Sequence, residues 1–589
     1  MSSVHRRALG AAAAICGLTI SGLAAPSAHS AIPADHSCPE AADPATLTEG
    51  AAVDGLTVSS GKIPDTFTGE YVGAIEDGIA PDVDMLMVRL SGSRITRTNA
   101  DGEEVVDAGI WAGMSGSPVY TEDGKLLGAV SYGLSWSPSD MAGVTPAASM
   151  YALRSQPSTQ TADVVAVPQE FGKEWIASGD ASQAQVDGGF ERLPMPTSVS
   201  GLHTRRLNAL AQRADFDARS FVGGGGAATA DDAKDAMIPG GNVAASLSYG
   251  DITMAGVGTV TAVCGQEVLA FGHPMLWSGR SQLTMHGAEA LYIQPDTVFG
   301  SFKVANPTAP VGRIVQDRLA AILGVEGAAP ATTPITSAVS AEGRSRLGET
   351  RSSVDEYLPF VAAIHTLVNI DTIFDQIGQG TGDVAWTVKL RRADGSRLTY
   401  QRSDKVASSY DASIEAAFEL YEQLYRLQEN RFEKVKLTSI DADVHMTPAF
   451  KALQVSQAQY LVRGSWVPVT ERDALVQRAG STLRLRVWLK PYDGSDLAGR
   501  WHRVALEIPA RARDMHGSLT VRGGQSIYSS PKASNLPGLV QAMASAPRND
   551  DVVAQLRLGR RGRPPVSLSA LDTKAGVVVG GFRVAVFTF

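Results

Sequence analysis

A serine stands between two glycines in the stretch GMSGSPVY, which spans residues 113–120. Glycine permits backbone conformations and close approaches that other residues do not, and the proline behind the serine restricts the backbone that follows. The next residues, VYTEDGKLLGAVSYG, are two apolar runs separated by a turn that contains Asp123 and Gly124, which predicts a hairpin. The stretch is therefore compatible with two interpretations: a plain tight turn, or a rigid loop that carries Ser115 as a nucleophile.

A serine nucleophile needs a neighbouring base, because its hydroxyl is a weak nucleophile at neutral pH. Of the chain's 10 histidines, His273 has a setting like that of Ser115. It lies in GTVTAVCGQEVLAFGHPM, where a predicted strand (258–263), a turn (264–266) and a second strand (268–271) lead to a glycine, the histidine and a proline. A lone histidine in a turn is commonly structural, so it is the combination with the serine loop that favours an acid–base role.

The cysteines and histidines have no spacing typical of a metal site, since the chain contains neither HExxH nor a CxxC pair. We therefore expect no metal and no cofactor. Cys16 lies in the N-terminal apolar segment, which leaves Cys38 and Cys264 for the rest of the chain. These two cysteines either form one disulfide, as an oxidising exterior would permit, or remain free thiols.

The 589-residue chain carries 52 basic and 61 acidic residues, a net charge of −9. Nucleic-acid-binding proteins usually display a basic surface, so this balance argues against such a partner. Hydrophobic residues make up 44% of the chain and charged residues 19%, which is typical of globular domains with sizeable cores. The length corresponds to about three or four domains, and 59 glycines with many short alternating segments favour a mainly β fold.

The first 30 residues have the layout of a secretory signal peptide. Arg6 and Arg7 precede an apolar run from residue 8 to residue 25, and small residues follow it. A single membrane anchor is the alternative, but about 18 apolar residues rich in alanine and glycine are marginal for a span. The paired arginines are compatible with twin-arginine export as well as general secretion. No later segment is long and apolar enough to cross a bilayer, so we expect an exported protein, extracellular or on the cell-envelope side.

Both chemical motifs resemble segments of serine peptidases. GIWAGMSGSPVYTEDGKLLGAVSYG is similar to the nucleophile segment of the chymotrypsin-like enzymes, GDSGGP followed by a hairpin. It resembles more closely GIVQGMSGSP of the SpoIVB-type peptidases, a bacterial family within that clan. GTVTAVCGQEVLAFGHPM resembles the family segment that carries the catalytic histidine, and VGRIVQDRLAAILG resembles the stretch that follows it. The resemblance spans residues 60–155 and 235–330.

The resemblance implies a role for each matching residue. Ser115 would attack the scissile carbonyl of a protein or peptide substrate, and His273 would take its proton and return it to the leaving amine. The backbone N–H groups of Gly113 and Ser115 would form an oxyanion hole. An extended edge for strand addition to the substrate backbone would be presented by Ser131, Tyr132 and Gly133.

The third member of a catalytic triad has no clear counterpart in the chain. The family's acid precedes the nucleophile segment in a stretch similar to VRLSGSRI, where this chain has Ser91 and Gly92 and no aspartate. Asp101 matches that acid by its distance from the serine alone, and Asp317 lies in the half of the chain that carries the histidine. Either carboxylate could orient the imidazole, so both candidates remain open.

The order of the two halves departs from the family, because Ser115 precedes His273 in this chain. The predicted fold is mainly β: a chymotrypsin-like double β-barrel core in rearranged order, followed by β-sandwich-like C-terminal modules with a helix. The predicted division is a signal peptide (1–30), a serine-bearing half (31–155), a linker or insert (156–238), a histidine-bearing half (239–330), a mixed α/β or β module (345–435), a β-sandwich-like module (436–530) and a C-terminal segment (531–589).

Two patterns support the C-terminal part of this division. TLRLRVWLK (482–490) alternates apolar and polar residues, which predicts a half-buried strand. A helix is predicted over residues 411–429. Its core-facing stripe is predicted to consist of Ile414, Phe418, Tyr421 and Tyr425.

Two classes of function follow from these motifs. The first is an exported serine endopeptidase with narrow or self specificity, which forms an acyl-enzyme on Ser115 with His273 as general base. The second is a secreted or envelope-associated binding protein whose protease-like core no longer cuts. The intact serine and histidine motifs favour the peptidase, whereas the missing acid favours the binding protein.

Overall fold

The computed structural model describes residues 38–134, 138–155, 164–193, 197–217, 221–223, 226–228, 234–296, 300–527 and 533–589. The predicted signal peptide lies outside these residues. Within them the chain is mainly β, as the alternating segments predict. Among the described residues, no helix combines the length and the apolar character that a bilayer span needs.

The first unit is a closed barrel of six antiparallel strands with short additions. Its elements are β1 (Ala52–Thr57), β2 (Asp65–Ala80), β3 (Val83–Ser91), β4 (Thr96–Thr98), β5 (Glu104–Val106), β6 (Pro118–Thr121), β7 (Leu126–Leu134), β8 (Met141–Pro146), α1 (Ala147–Ala152), β9 (Val164–Val165), α2 (Gln169–Ser178), α3 (Gln183–Gly188) and β10 (Phe190–Arg192). Strands β6, β1, β2, β3, β8 and β7 pair in that order, and β6 also pairs with β7, which closes the barrel.

The predicted hairpin after the serine loop is formed by β6 and β7, and Gly124 supplies a positive φ of 80° in its turn. Strand β7 is buried along its whole length because both of its faces are covered. Val130 belongs to the barrel core, whereas Ala129 packs with Leu269 of the second unit. The strand that follows the serine loop therefore lies between the two units.

The second unit again contains a ring of six antiparallel strands. Its elements are β11 (Thr197–Val199), α4 (Thr204–Arg213), β12 (Phe221–Gly223), β13 (Asn242–Gly250), β14 (Met254–Cys264), β15 (Glu267–Ala270), β16 (Gly279–Arg280), β17 (Thr284–Gln294), β18 (Phe302–Arg318) and β19 (Ala321–Glu326). Strands β14, β15, β19, β18, β17 and β13 pair in that order, and β13 also pairs with β14. The strand–turn–strand predicted ahead of His273 is β14 and β15.

The segment predicted as a linker or insert (156–238) is divided between the two units. Strands β9 and β10 extend the first sheet beyond β7, whereas β11 and β12 extend the second sheet beyond β14. The segment is thus part of both sheets, because its short strands pair with edges that the barrels leave open.

A mixed module continues the second sheet. Its elements are β20 (Thr333–Ala341), β21 (Arg344–Ser352), α5 (Leu358–Phe374), β22 (Gly380–Arg391), β23 (Arg397–Ser408), α6 (Ala412–Gln428) and β24 (Lys436–Thr447). The predicted boundary at residue 435 is displaced, because β24 pairs with both β20 and β22. The module therefore extends to residue 447.

Helix α6 forms where it was predicted, and Asp411 caps its N-terminus by accepting the N–H of Ile414 at 3.1 Å. The predicted aromatic stripe is only partly correct. Tyr425 is 52% exposed, whereas Leu424 is fully buried. Burial follows the aliphatic side chains because they face the sheet, and the aromatic rings stack along the flank of the helix.

The C-terminal unit has two sheets. Its elements are β25 (Ala452–Val462), β26 (Ser465–Val469), β27 (Ala474–Gln477), β28 (Thr482–Pro491), β29 (Arg500–Glu507), β30 (His516–Gly523), α7 (Leu536–Ala544), β31 (Asp551–Arg560), β32 (Arg563–Thr573), β33 (Val577–Val579) and β34 (Gly581–Thr588). One sheet contains β26, β25, β28, β29 and β33, and the other contains β27, β34, β30, β31 and β32.

The alternation predicted for residues 482–490 is confirmed, since the leucines and the valine of β28 are buried between the two sheets. The segment 531–589 was predicted as separate, but β31 and β34 pair with β30 on either side. This segment therefore completes the sandwich that the preceding residues begin.

Candidate active site

Glycines shape the loop that carries Ser115. Gly113 and Gly116 have φ values of 95° and 98°, in the region that side-chain-bearing residues rarely adopt. A Cβ at position 116 would lie 1.9 Å from the carbonyl oxygen of Thr259. Within the loop, the Ser117 hydroxyl donates to the Met114 carbonyl oxygen at 2.7 Å. The loop is thus a tight structure in which Gly116 allows the second unit to approach.

Strand β14 of the second unit donates hydrogen bonds to the backbone carbonyl groups of this loop. The N–H of Thr259 donates to the Ser115 carbonyl at 2.8 Å, and the Thr259 hydroxyl donates to the Gly113 carbonyl at 3.1 Å. The Thr261 hydroxyl donates to the Gly116 carbonyl at 2.8 Å. The backbone N–H groups of Gly113 and Ser115 donate to no acceptor among the described residues. Two donors two residues apart are therefore left to bind an oxyanion.

His273 follows β15 and lies beside Ser115. Two residues of positive φ, Phe271 (72°) and Gly272 (69°), turn the chain sharply before the imidazole. A non-glycine residue such as Phe271 in this region is strained, and such strain is concentrated at functional sites. The Thr145 hydroxyl of the first unit donates to the Gly272 carbonyl at 2.7 Å. The Ser115 Oγ and the His273 Nε2 lie 2.9 Å apart.

A backbone carbonyl sets the tautomer of His273. Its Nδ1 lies 2.8 Å from the carbonyl oxygen of Pro274, which can only accept a hydrogen bond. Nδ1 therefore carries the proton, and Nε2 presents its lone pair to the Ser115 hydroxyl. This is the tautomer that a general base requires.

Neither predicted aspartate forms a hydrogen bond with the imidazole, whose partners are Ser115 and the Pro274 carbonyl. Asp101 is exposed in the turn between β4 and β5, where its N–H binds Asn99, so its match to the family by distance has no structural counterpart. Asp317 is fully buried in β18 and accepts the N–H groups of Met275 and Leu276 at 2.8 Å each. Asp317 thus orients the turn that contains Pro274. The Pro274 carbonyl then orients the imidazole of His273.

Burial lowers the pKa of His273 to about 4. The Pro274 carbonyl raises this pKa and the positive charge of Arg192 lowers it, both by less than burial does. The imidazole is therefore neutral at physiological pH, which is the form that can accept the serine proton. Ser115 and His273 are both fully buried in this structure, so the site is closed to solvent.

Two other buried histidines bind hydroxyl groups in a similar way. The Ser246 hydroxyl lies 2.8 Å from His286 Nε2, and the Nδ1 of that histidine lies 2.8 Å from the Thr308 carbonyl oxygen. His365 bridges Ser337 and Thr350. A serine–histidine hydrogen bond is therefore not by itself diagnostic. Ser246 and His286 stand within paired strands, where the ladder uses the backbone groups. Ser115 instead stands on a loop with two N–H donors that have no acceptor among the described residues.

The edge predicted at Ser131, Tyr132 and Gly133 is not free. Strand β10 pairs antiparallel with it, with Arg192 opposite Tyr132 and Glu191 opposite Gly133. The prediction of an open edge is wrong because the insert between the two units folds back onto β7. The Ser131 hydroxyl donates to the Ala129 carbonyl at 2.7 Å.

Lys303 is a neighbour of the serine loop that sequence reasoning did not identify. Its N–H donates to the Ala112 carbonyl at 2.9 Å, and its Cβ faces Gly113. The buried ammonium group donates to Asn242 at 2.8 Å, and burial lowers its pKa to about 7. No local motif marks Lys303, since it reaches the loop from strand β18 of the other unit.

Cys38 and Cys264 form a disulfide, which decides between the two alternatives that the sequence left open. The bond ties the first described residue to the last residue of β14. Both of these strands serve the site, because β14 holds the serine loop and β15 leads to His273.

Comparisons with protein-family models, with curated proteins and with solved structures find no match to this chain. The resemblance to SpoIVB-type peptidases therefore rests on the quoted motifs and stays a prediction.

Proposed function

We propose that this protein is a serine endopeptidase that hydrolyses peptide bonds through an acyl-enzyme on Ser115. The observation that carries the proposal is the 2.9 Å hydrogen bond between Ser115 Oγ and the Nε2 atom of His273, whose Nδ1 carries the proton. It lies next to the N–H groups of Gly113 and Ser115, which have no acceptor among the residues that the structure describes. No other buried serine–histidine pair of the described residues combines these features.

The chemistry follows from the positions of these groups. Ser115 Oγ attacks the scissile carbonyl carbon while His273 Nε2 takes the hydroxyl proton. The two N–H groups of the loop stabilise the negative oxygen of the tetrahedral intermediate. His273 then gives the proton to the leaving amine, and a water molecule hydrolyses the acyl-enzyme by the reverse sequence.

In this proposal a backbone carbonyl replaces the acid of the triad. The Pro274 carbonyl accepts a hydrogen bond from the Nδ1–H group and stabilises the imidazolium that forms, but it carries no full negative charge. Asp317 is a positioning residue that holds the turn. Loss of the aspartate from a triad can reduce turnover by about 10⁴. The enzyme is therefore expected to be slow.

The arrangement of the units supports the same proposal. Two rings of six antiparallel strands carry the serine and the histidine. This architecture supports the proposal of a chymotrypsin-like double barrel with its halves in reversed order. Catalysis depends on the geometry of the groups and not on their order in the chain. The disulfide and the signal-like N-terminus support action outside the cytoplasm.

A secreted binding protein with an inactive protease-like core is the second candidate. The full burial of Ser115 and His273 favours it, since a substrate cannot reach a closed site. The two candidates differ in one property, the reactivity of Ser115.

A fluorophosphonate probe tests the proposal. We expect it to modify Ser115, identified by peptide mapping, in the protein and in Leu193→Asp. Leu193 directly follows β10, and its buried side chain packs near the serine loop, so a charge there should loosen the segment on β7. Ser115→Ala should lose the modification completely. Ser246→Ala is the matched control, because it removes a buried serine–histidine bond outside the site and should keep it. If Ser115 stays unmodified in both the protein and Leu193→Asp, the peptidase proposal fails and the binding protein is favoured.

A further inference from the structure

The short strand β10 lies along the edge of β7 beside the candidate active site. Phe190 stands opposite Leu134 and Arg192 opposite Tyr132, in antiparallel register. The N–H of Leu193 continues the pairing by donating to the Ser131 carbonyl at 2.9 Å. This is the backbone pattern of a peptide added to a sheet edge.

The direction of β10 carries the chain toward the serine loop. Val130, the residue before Ser131 on β7, binds the serine loop through its backbone. Its N–H donates to the Ser117 carbonyl at 3.0 Å, and its carbonyl accepts a hydrogen bond from the Gly116 N–H at 2.8 Å. Because β10 is antiparallel to β7, it runs from Leu134 toward Val130. Leu193 is therefore the described residue of this segment that is nearest along β7 to the Ser115 loop.

The side chain of Leu193 occupies an apolar pocket next to that loop. It is only 5% exposed and belongs to the cluster that contains Trp111 and Met114. A Cβ at Gly133 would lie 3.3 Å from Leu193 Cδ2 and 3.5 Å from the Ile110 side chain. Glycine at position 133 thus leaves the space in which Leu193 packs.

Arg192 also belongs to this segment, and its positive charge lowers the pKa of His273, by less than burial does. The segment is placed beside the Ser115 loop by its register on β7 and by the packing of Leu193 with Trp111 and Met114. This position next to the serine loop agrees with the full burial of Ser115 and His273.

We propose that residues 190–193 occupy the substrate edge of the Ser115 site as an internal strand, with Leu193 in the pocket that receives the acyl residue of a substrate. This inference rests on the proposed function for the identity of the site. The substrate class that follows is an extended peptide with a leucine-sized apolar residue before the cut. Such a peptide binds only when the internal strand leaves.

The sequence around the segment agrees with occupancy that can be reversed. Pro194 follows Leu193, and a residue ahead of proline favours the extended conformation that a strand requires. The bond after Leu193 is therefore a tertiary amide whose nitrogen carries a ring carbon. Strand β10 has three residues and its outer neighbour β9 has two, so few hydrogen bonds hold the segment.

The test measures peptide binding in a Ser115→Ala background, where no cleavage occurs. The probe is a dye-labelled amide of the sequence Phe-Glu-Arg-Leu, followed by fluorescence anisotropy. Adding Leu193→Asp should tighten binding at least tenfold, because the charged side chain leaves the pocket and frees the edge. A peptide that ends in Asp should bind the same variant at least tenfold more weakly.

Leu153→Asp is the matched control, since Leu153 is also 5% exposed and belongs to a different cluster. It should bind the peptide like the background protein. If Leu193→Asp does not fold, as judged by thermal melting, Leu193→Ala replaces it and should tighten binding in the same direction. Equal affinity of the background protein and the Leu193 variant for the peptide would overturn the proposal.

This result is independent of catalysis, because Ser115 is absent from every protein in the binding test. Tighter peptide binding without modification of Ser115 by the fluorophosphonate would support the proposal of an internal strand and contradict the proposal of a peptidase. Modification of Ser115 together with unchanged peptide binding would support the proposal of a peptidase and contradict the proposal of an internal strand.

Discussion

Buried histidines bind hydroxyl groups at three places in the described residues, yet only one of these pairs has the surroundings of a nucleophile. His286 and Ser246 satisfy each other within a sheet, as buried polar groups must. His273 meets Ser115 on a loop whose carbonyl groups are held by β14. The N–H groups of the loop at positions 113 and 115 have no acceptor within the part of the chain that the structure describes. The surroundings of the pair, and not the pair itself, carry the functional argument.

Asp317 offers a direct test of positioning at this scale. Its carboxylate accepts two N–H groups of the turn that presents Pro274. Asp317→Asn would turn an amide N–H₂ toward one of these donors, so the turn should shift and the Pro274 carbonyl should leave Nδ1. We expect the rate at which fluorophosphonate modifies Ser115 to fall at least tenfold, and the unfolding free energy to fall by about 1–3 kcal/mol.

Asp101→Asn is the control. Because Asp101 is exposed in a turn, its replacement should change neither the modification rate of Ser115 nor the free energy of unfolding. The pH dependence separates positioning from general loss of stability. A displaced turn should change the pH at which the modification rate is half-maximal, measured at a temperature where both proteins are folded. An unchanged rate in Asp317→Asn would remove Asp317 from the site.

At the scale of elements, strand β14 is one of the connections between the two halves of the site. It binds three carbonyl groups of the serine loop, through Thr259 and Thr261. Each of these hydrogen bonds crosses from the second unit to the first. The serine loop therefore depends on a strand that lies far from it in the chain.

Thr261→Val tests this connection with a side chain of nearly the same shape. The substitution leaves the buried Gly116 carbonyl without its partner, which costs about 1–3 kcal/mol of stability. The loop should also relax, so the modification rate of Ser115 is expected to fall about tenfold. Ser198→Ala removes a comparable hydrogen bond to the Ala255 carbonyl of the same strand, away from the loop. A rate for Thr261→Val that equals the rate for Ser198→Ala would argue against the connection.

At the scale of the whole molecule, the disulfide between Cys38 and Cys264 joins the start of the described chain to the second unit across 226 residues of sequence. Cross-linking a loop of this length restricts the unfolded chain. The bond therefore stabilises the contact between the two units on which the site depends.

Replacing both cysteines by serine should lower the melting temperature of the cooperative transition, with a loss of up to about 5 kcal/mol in the loop-entropy description. The unreduced, unfolded parent protein should contain no free thiol after removal of the signal peptide. Thiol titration that finds two free thiols in it would contradict the bond. A single replacement, Cys38→Ser, should give the same loss of stability as the double replacement, because either change breaks the bond.

Much of the local structure could be predicted from sequence. The hairpin of β6 and β7, the strands β14 and β15, helix α6 and the strand β28 all formed as expected. Their signals are carried by residues that are adjacent in the chain, such as the turn glycine and the alternating leucines. The boundaries at residues 435 and 530 were misplaced, because strands on either side of each boundary pair with one another and no local pattern records that pairing.

The sequence by itself determined which side chains could react, since the glycine and proline residues around Ser115 and His273 define rigid loops locally. Only the tertiary structure decided that these loops meet, that the Pro274 carbonyl takes the place expected of an aspartate, and that Leu193 covers the edge of β7. The physical reason is the same in each case. These contacts join segments that are far apart in the chain, and backbone carbonyl and N–H groups, which every residue shares, leave no signature in the sequence.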